Sequence, residues 1–177
     1  ILEKYDLSLA TMEVSYMNGM LEKPEEFTNL ASFYLYKQNP VMSANVLEKA
    51  IANENILFTT ANAKLLADSW LYAKERSRSL DVLKDSLIDS PNDIKLAKQY
   101  VDIAFSAFKW NEVISGIERV KRLNITDNGK YQLMQGIAYF ELNKIQEAQE
   151  SFANASKSEK YADSGVAWLE YLQALKG

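Results

Sequence analysis

The sequence predicts an all-α protein, a right-handed superhelical solenoid of antiparallel helix pairs closed by a C-terminal capping helix. Good helix formers such as Ala, Leu, Glu, Lys and Gln are plentiful, whereas the 177 residues include only six Gly and three Pro. Large residues recur with a period of about 35, and small residues flank them at helical spacing. The hydrophobic content of 47% is normal for a folded domain with a sizeable core.

The second helix of each repeat carries one large residue between two small or β-branched residues. The large residues are Met12, Leu47, Leu83, Ile117 and Phe152, at intervals of 35, 36, 34 and 35. The residues four positions before them are Ser8, Ser43, Ser79, Val113 and Ala148, and those three positions after them are Ser15, Ala50, Ser86, Val120 and Ala155. Small residues let two helices approach closely, and a large residue of the neighbouring helix fills the space.

The first helix of each repeat has its own pattern. Ala31 and Tyr34 recur as Ala67 and Trp70, and again as Gly136 and Tyr139 at the same spacing. Pro24 and Pro40 suit the first position of a helix, where no backbone N–H is needed. One helix pair cannot bury its apolar stripe alone, so we expect the pairs to stack on one another.

These patterns divide the chain into one continuous repeat domain of about ten helices. We predict a leading half-unit at 1–20, full units at about 24–55, 59–91, 93–124 and 127–158, and a capping helix at about 161–175. The leading segment fits the second helix of a unit whose first helix is missing. We therefore interpret the sequence as a fragment of a longer protein.

The last repeat, "GIAYFELNKIQEAQESFANA", resembles the tetratricopeptide repeat (TPR). The other repeats are degenerate, since Val113 and Val120 replace the usual alanines and Gln135 stands where the repeat usually has an apolar residue. The resemblance covers nearly the whole chain. It implies a scaffold that binds proteins or peptides, because such arrays serve as interaction surfaces.

The natural binding site of a stacked array is the concave face, which is lined by the first helix of each pair. Stepping through the period gives the candidate residues Thr28, Ser32, Tyr36, Lys64, Asp68, Leu71, Tyr72, Lys98, Asp102, Phe105, Leu133, Ile137 and Phe140. The face is interpreted as a peptide groove with a polar middle and an apolar end. For the last three residues we favour packing against the capping helix, because terminal units often bury this face.

Two Lys/Asp pairs at i, i+4 spacing recur in consecutive units, Lys64 with Asp68 and Lys98 with Asp102. They form either a charged ladder across the groove or two plain solvated pairs. Tetratricopeptide repeats that grip a C-terminal carboxylate resemble one another in pairing Lys with Asn at these positions. Asp repels a carboxylate, so this mode of binding is disfavoured.

Composition argues against several other functions. The net charge of −4 disfavours nucleic-acid binding, which needs concentrated Lys and Arg. His and Cys are both absent, so the commonest general base and the commonest zinc ligands are missing. No nucleotide-binding or hydrolase motif is present. We therefore predict no enzymatic activity, no cofactor and no metal. We also predict no membrane insertion, because no run approaches the ~20 apolar residues that a membrane-spanning helix needs.

Residues 4–51 carry a second resemblance. The motifs "YMNGML", "NLASFYL" and "ANVLEKAI" resemble the later repeats of a periplasmic protein associated with bacterial TonB-type transport systems. The resemblance implies a periplasmic accessory role in iron–siderophore uptake, with a TonB-like protein and its inner-membrane motor partners as binding partners.

Two alternatives stay open at this point. The first is a generic TPR adaptor, periplasmic or cytoplasmic, for another complex such as an envelope-assembly machine. The second is a regulatory domain of an enzyme that lies in the missing N-terminal part.

Overall fold

A computed structural model of the chain describes residues 2–123 and 129–175, and these form ten α-helices. The helices are α1 (Leu2–Met17), α2 (Pro24–Tyr36), α3 (Pro40–Ala52), α4 (Thr60–Tyr72), α5 (Arg76–Asp89), α6 (Ile94–Ser106), α7 (Trp110–Arg122), α8 (Gly129–Glu141), α9 (Ile145–Ala155) and α10 (Ala162–Ala174). The all-α prediction is confirmed. The predicted boundary between the third and fourth full units, at 124–127, lies outside the described residues.

Local sequence signals set the helix starts. Pro24 and Pro40 are the first residues of α2 and α3, as predicted. Asp93 caps α6, since its Oδ1 accepts the backbone N–H groups of Lys95 at 2.9 Å and Leu96 at 3.0 Å. Among the described residues, no helix is long and apolar enough to cross a membrane.

Four of the turns within helix pairs end in a left-handed residue at the same position of the repeat. The residues are Gln38, Lys74, Phe108 and Asn143, with φ of 57°, 64°, 57° and 58°. This conformation closes the helix C-terminus and is uncommon for residues other than Gly and Asn. Phe108 is a bulky residue in a position that three polar residues occupy elsewhere.

The chain divides into two compact units, Ile1–Ser90 and Pro91–Gly177. Unit 1 contains α1 to α5, and unit 2 contains α6 to α10. The division of the chain into one repeat domain with the predicted unit bounds stays a prediction.

The core of unit 1 is built from the periodic residues. Leu30, Ala31, Leu47, Leu66 and Trp70 are all buried there. The side chains of α1 cover part of this core, but its periodic residues are less buried than those of the later repeats: Met12 is only partly buried and Ser8 is exposed.

Buried serine hydroxyls join the helices of unit 1. Ser69 Oγ donates to the backbone oxygen of Leu65 at 2.7 Å, so Ser43 Oγ, 2.8 Å away, must donate to Ser69 Oγ. Ser79 Oγ donates to the backbone oxygen of Ala67 at 2.7 Å, which joins α5 to α4. A buried hydroxyl without a partner is costly, so each serine satisfies its own donor at the helix contact.

A network of polar contacts at the edge of the same core connects α3, α4 and α5. Trp70 is buried, and its Nε1 donates to Glu48 Oε1 at 2.9 Å. Arg78 donates to both oxygens of the Glu48 carboxylate, at 3.2 and 3.0 Å, and its guanidinium lies 3.4 Å from the centroid of the Trp70 ring. The periodic position that Trp70 occupies in the repeat is therefore a core position.

The core of unit 2 shows why the periodic positions are small. A Cβ at Gly136 on α8 would lie 2.5 Å from two ring carbons of Phe152 on α9. The Phe152 ring is fully buried and stacks on Trp168 of α10, with centroids 4.9 Å apart and planes 7° from parallel. Gly136 thus provides the space that Phe152 fills, as the repeat pattern predicts.

We expect Gly136→Ala to destabilise the protein. Alanine favours a helix over glycine by about 1 kcal/mol. Overpacking of a rigid site costs about 1–3 kcal/mol, and Trp168 holds the Phe152 ring in place. Urea denaturation should show a net loss of about 1 kcal/mol in the free energy of unfolding.

The Phe152→Leu background tests the cause of this loss. Gly136→Ala should cost less there, because the ring that meets the added methyl group is gone. Gln146→Ala, on an exposed part of α9, serves as the control and should change stability by less than about 0.5 kcal/mol. An equal cost of Gly136→Ala in both backgrounds would contradict the proposed contact.

Candidate functional site

In unit 1, α2 has a buried side and an open side. Phe27, Leu30, Ala31 and Tyr34 are buried in the core. The helix start is fixed by Glu26, whose Oε2 accepts the backbone N–H groups of Glu22 and Lys23, both at 2.9 Å. The bond from Lys23 and then that from Glu22 lower the pKa of the Glu26 carboxyl, so it stays ionised as a cap.

The open side of α2 carries three of the predicted site residues, Thr28, Ser32 and Tyr36. Thr28 Oγ1 donates to the backbone oxygen of Glu25 at 3.1 Å, and Ser32 Oγ donates to that of Thr28 at 2.8 Å. Because each hydroxyl proton is already used, the oxygens offer only acceptor sites to a partner. The side chain of Tyr36 is 61% exposed.

A cavity of about 340 Å³ opens on this side of α2 and is lined by Asn29, Ser32, Phe33 and Tyr36. The lining residues that the structure describes lie at i, i+3, i+4 and i+7 of one helix, so a single face of α2 supplies them. Sequence reasoning missed Asn29 and Phe33, although both lie next to a predicted residue.

The open side of α4 carries the next four predicted residues. Lys64 Nζ lies 2.8 Å from Asp68 Oδ2, so the first predicted i, i+4 ion pair is present. Leu71 is partly buried, whereas Tyr72 is 71% exposed. Tyr72 occupies the position of α4 that Tyr36 occupies in α2, so two exposed tyrosines end adjacent first helices. We call the open sides of α2 and α4 together the open face of unit 1.

The second predicted ion pair of the ladder, Lys98 with Asp102, is wrong. Asp102 on α6 is bound instead by Lys130 at the start of α8. Partial burial disfavours the charged form of Lys130, but the hydrogen bond and the charge of Asp102 outweigh burial and raise the pKa of Lys130. A bridge between neighbouring helices replaces the pair within one helix, so the predicted ladder does not recur.

Phe105 on α6 is only partly buried and belongs to an aromatic cluster that includes the following turn. Its ring centroid lies 5.7 Å from that of Trp110, and the Phe108 centroid lies 5.5 Å from Trp110, both with edge-to-face geometry. Trp110 is partly buried, and Phe108 is 72% exposed. Sequence reasoning missed Phe108; the available signal was an aromatic residue at a turn position that is polar in three other repeats.

Leu133, Ile137 and Phe140 lie at the end of the predicted groove and pack in the C-terminal core beside α10. The Phe140 ring centroid lies 5.4 Å from that of Trp168 and 5.9 Å from that of Tyr171. Trp168 is partly buried within this aromatic cluster. These three residues therefore pack beside the capping helix, which is the alternative favoured from the sequence, and they do not extend an open groove.

Gln135, the residue that departs from the repeat pattern, is only 3% exposed. Its Oε1 accepts from Lys121 Nζ at 2.8 Å, and its Nε2 donates to Glu118 Oε1 at 2.9 Å. Burial disfavours the charged form of Glu118, but the bond from Gln135 and the charges of Lys121 and Arg122 outweigh it and lower the pKa of Glu118. The amide is therefore satisfied between a base and an acid, which explains why it is tolerated there.

No protein-family model matches this sequence, and no curated protein matches it. Among solved structures, the chain is similar to YrrB, described as a TPR protein with an unusual peptide-binding site, with a TM-score of 0.69 and 12% identity over 96% of this chain and 85% of that chain. It is also similar to MamA residues 41 to the end from Desulfovibrio magneticus RS-1, with a TM-score of 0.66 and 14% identity over 89% and 87% of the two chains.

A further MamA crystal structure has a TM-score of 0.63 and 15% identity, and covers 90% of this chain and 91% of that chain. Structural similarity at identities this low shows a shared fold and no more. The chain therefore has the all-α TPR solenoid fold that its period of about 35 residues predicts.

The hydrogen bond from Gln135 to Glu118 predicts how the stability of the folded chain depends on pH. Gln135→Met should raise the pKa of Glu118, because it removes a hydrogen bond to the charged form. Glu118 has a lowered pKa in the folded chain, so its stabilisation is present above its unfolded pKa and is lost as the pH falls through the folded pKa. That loss should shrink in the variant.

NMR titration of the Glu118 carboxyl carbon measures this change directly. Gln132→Met is the matched control, since Gln132 lines the same 180 Å³ cavity as Glu118 and Gln135. If the Glu118 pKa is the same in the native chain and in both variants, the hydrogen bond does not set it.

Proposed function

We propose that this chain is a non-enzymatic interaction module that binds another protein through the open face of unit 1. The cavity beside Tyr36 carries the proposal. Its volume of about 340 Å³ lies within the range of ligand pockets, and its lining combines two aromatic rings with an amide and a hydroxyl. Such a surface suits a side chain and the adjoining backbone of a bound segment.

Exposed tyrosines support the same face. Tyr is enriched in protein interfaces, because it buries a large area while keeping a polar end. Tyr36 and Tyr72 are both largely exposed and occupy equivalent positions of α2 and α4. The predicted site residues on α8 support binding less well, since Leu133, Ile137 and Phe140 are already packed beside α10.

Site-specific photo-cross-linking tests the proposal in cells. A photoreactive phenylalanine analogue at position 36 or 72 should capture the same partner, because both positions belong to the proposed face. The same analogue at Asp85, exposed on α5, should not capture it. Capture from position 85 alone would place the interface elsewhere.

Asp68→Lys tests the part of the face that α4 supplies. The change removes the ion pair with Lys64 and puts two cations on that side. We expect weaker capture from position 72 because the charge pattern of the face is altered. Unchanged capture would exclude this part of α4 from the site.

A narrower proposal rests on the sequence resemblance of residues 4–51. It places the chain in the periplasm, as an accessory component of a TonB-type system that drives iron–siderophore uptake. Cross-linking from position 36 in the native cell should then capture the TonB-like protein or one of its two inner-membrane partners. Capture of proteins from an unrelated complex only would overturn this role and leave the interaction module standing.

A further inference from the structure

The open side of α2 changes in chemical character along the helix. Glu25, Asn29, Ser32 and Tyr36 lie at i, i+4, i+7 and i+11, and therefore on one face. The face begins with a carboxylate, continues with an amide and a hydroxyl, and ends with an aromatic ring. The last three of these residues line the cavity.

The carboxylate at the start of this face is available to a partner. Glu26, its neighbour, is occupied as the helix cap, with two backbone N–H groups bound to its carboxylate. Glu25 is exposed and has no ion pair within the described part of the chain. A cation of a bound segment can therefore approach it without displacing an existing bond.

The two ends of the face differ in charge. Lys37 follows Tyr36, and its Nζ lies 5.9 Å from the centroid of the Tyr36 ring, so the aromatic end already carries a cation. At the other end, Glu22, Glu25 and Glu26 outnumber the single Lys23. A basic residue of a partner is thus attracted to the Glu25 end.

The charge of the whole unit acts in the same direction. Residues 1–90 contain 13 Asp and Glu against 9 Lys and Arg, a difference of −4, whereas residues 91–177 contain 11 of each and are neutral. The acidic excess of the chain therefore lies entirely in unit 1, which has the cavity beside Tyr36. Such an excess raises the local concentration of basic segments and their association rate.

Building on the proposed function, we infer that the partner segment is basic and apolar: one large apolar side chain enters the cavity, and a Lys or Arg pairs with Glu25. The polar side chains that line the cavity can bind the backbone of the partner segment between its apolar residue and its basic residue. The exposed Asn29 amide offers donors and an acceptor, and Ser32 Oγ offers an acceptor to a backbone N–H.

Helix geometry sets the spacing of the two residues. Ser32, near the middle of the cavity, lies seven positions after Glu25, which is about 10 Å along a helix. An extended segment covers about 10 Å in three residues. The recognised pattern is therefore a basic residue and a large apolar residue about three positions apart.

Selection from a displayed library of random nonapeptides tests the pattern with the whole chain as bait. The native chain should enrich peptides with Lys or Arg about three positions from Leu, Phe or Trp. Glu25→Lys should instead enrich Asp or Glu at that position. Glu25→Gln removes only the charge of this side chain, leaves the Glu26 cap in place, and should weaken the best basic peptide about two- to fivefold, as expected for an exposed ion pair.

Two further variants separate the local pair from other causes. Asp85→Lys makes the same change in net charge on an exposed part of α5, and should leave the preference for basic peptides unchanged. Tyr36→Ala removes a wall of the cavity and should weaken all selected peptides at least about tenfold. Circular dichroism of each variant confirms that it is folded.

The outcomes distinguish this inference from the proposed function. If selected peptides depend on Tyr36 but show no basic preference, or if Glu25→Lys leaves that preference intact, the basic–apolar pattern is wrong and the binding face stands. If Asp85→Lys abolishes the preference as Glu25→Lys does, net charge replaces the pairing with Glu25. If no peptide is enriched, or none depends on Tyr36, both the pattern and the proposed face are overturned.

Discussion

Close approach of helices at small residues is the constraint on which this structure depends. Gly136 leaves space that the ring of Phe152 fills, and a methyl group there would lie 2.5 Å from that ring. Where the small residue is a serine, its hydroxyl must also find a buried partner, as Ser79 does at the Ala67 carbonyl. A repeat with a serine at this point therefore needs both a small side chain and a hydrogen-bond partner, whereas a repeat with Gly or Ala needs only the small size.

This constraint explains why the helices were predictable from the sequence and several polar contacts were not. Every repeat meets nearly the same packing problem, so Leu47, Leu83, Ile117 and Phe152 recur in one phase and are all fully buried. Polar partners have no such period. Asp102 lies four residues after Lys98 in sequence, yet it binds Lys130 on another helix, a choice that depends on how α6 and α8 are placed.

Equivalent positions in different repeats can also have different roles. The open side of α2 presents Tyr36 and a cavity, whereas the corresponding side of α8 presents Ile137 and Phe140 to the aromatic cluster of α10. The period predicts both sides as parts of one groove, because it carries no information about a helix outside the repeat. The presence of α10 decides which side is open.

The two sides of α2 separate stability from recognition. Leu30 and Ala31 are fully buried and hold α2 in the core, so substitutions there change packing before they change binding. Glu25, Asn29 and Ser32 are exposed, and the Ser32 hydroxyl donates within its own helix, to the backbone oxygen of Thr28. The repeat thus constrains one side of α2 and leaves the other free to vary with the partner. Recognition in this chain must therefore be sought in residues that the repeat pattern does not specify.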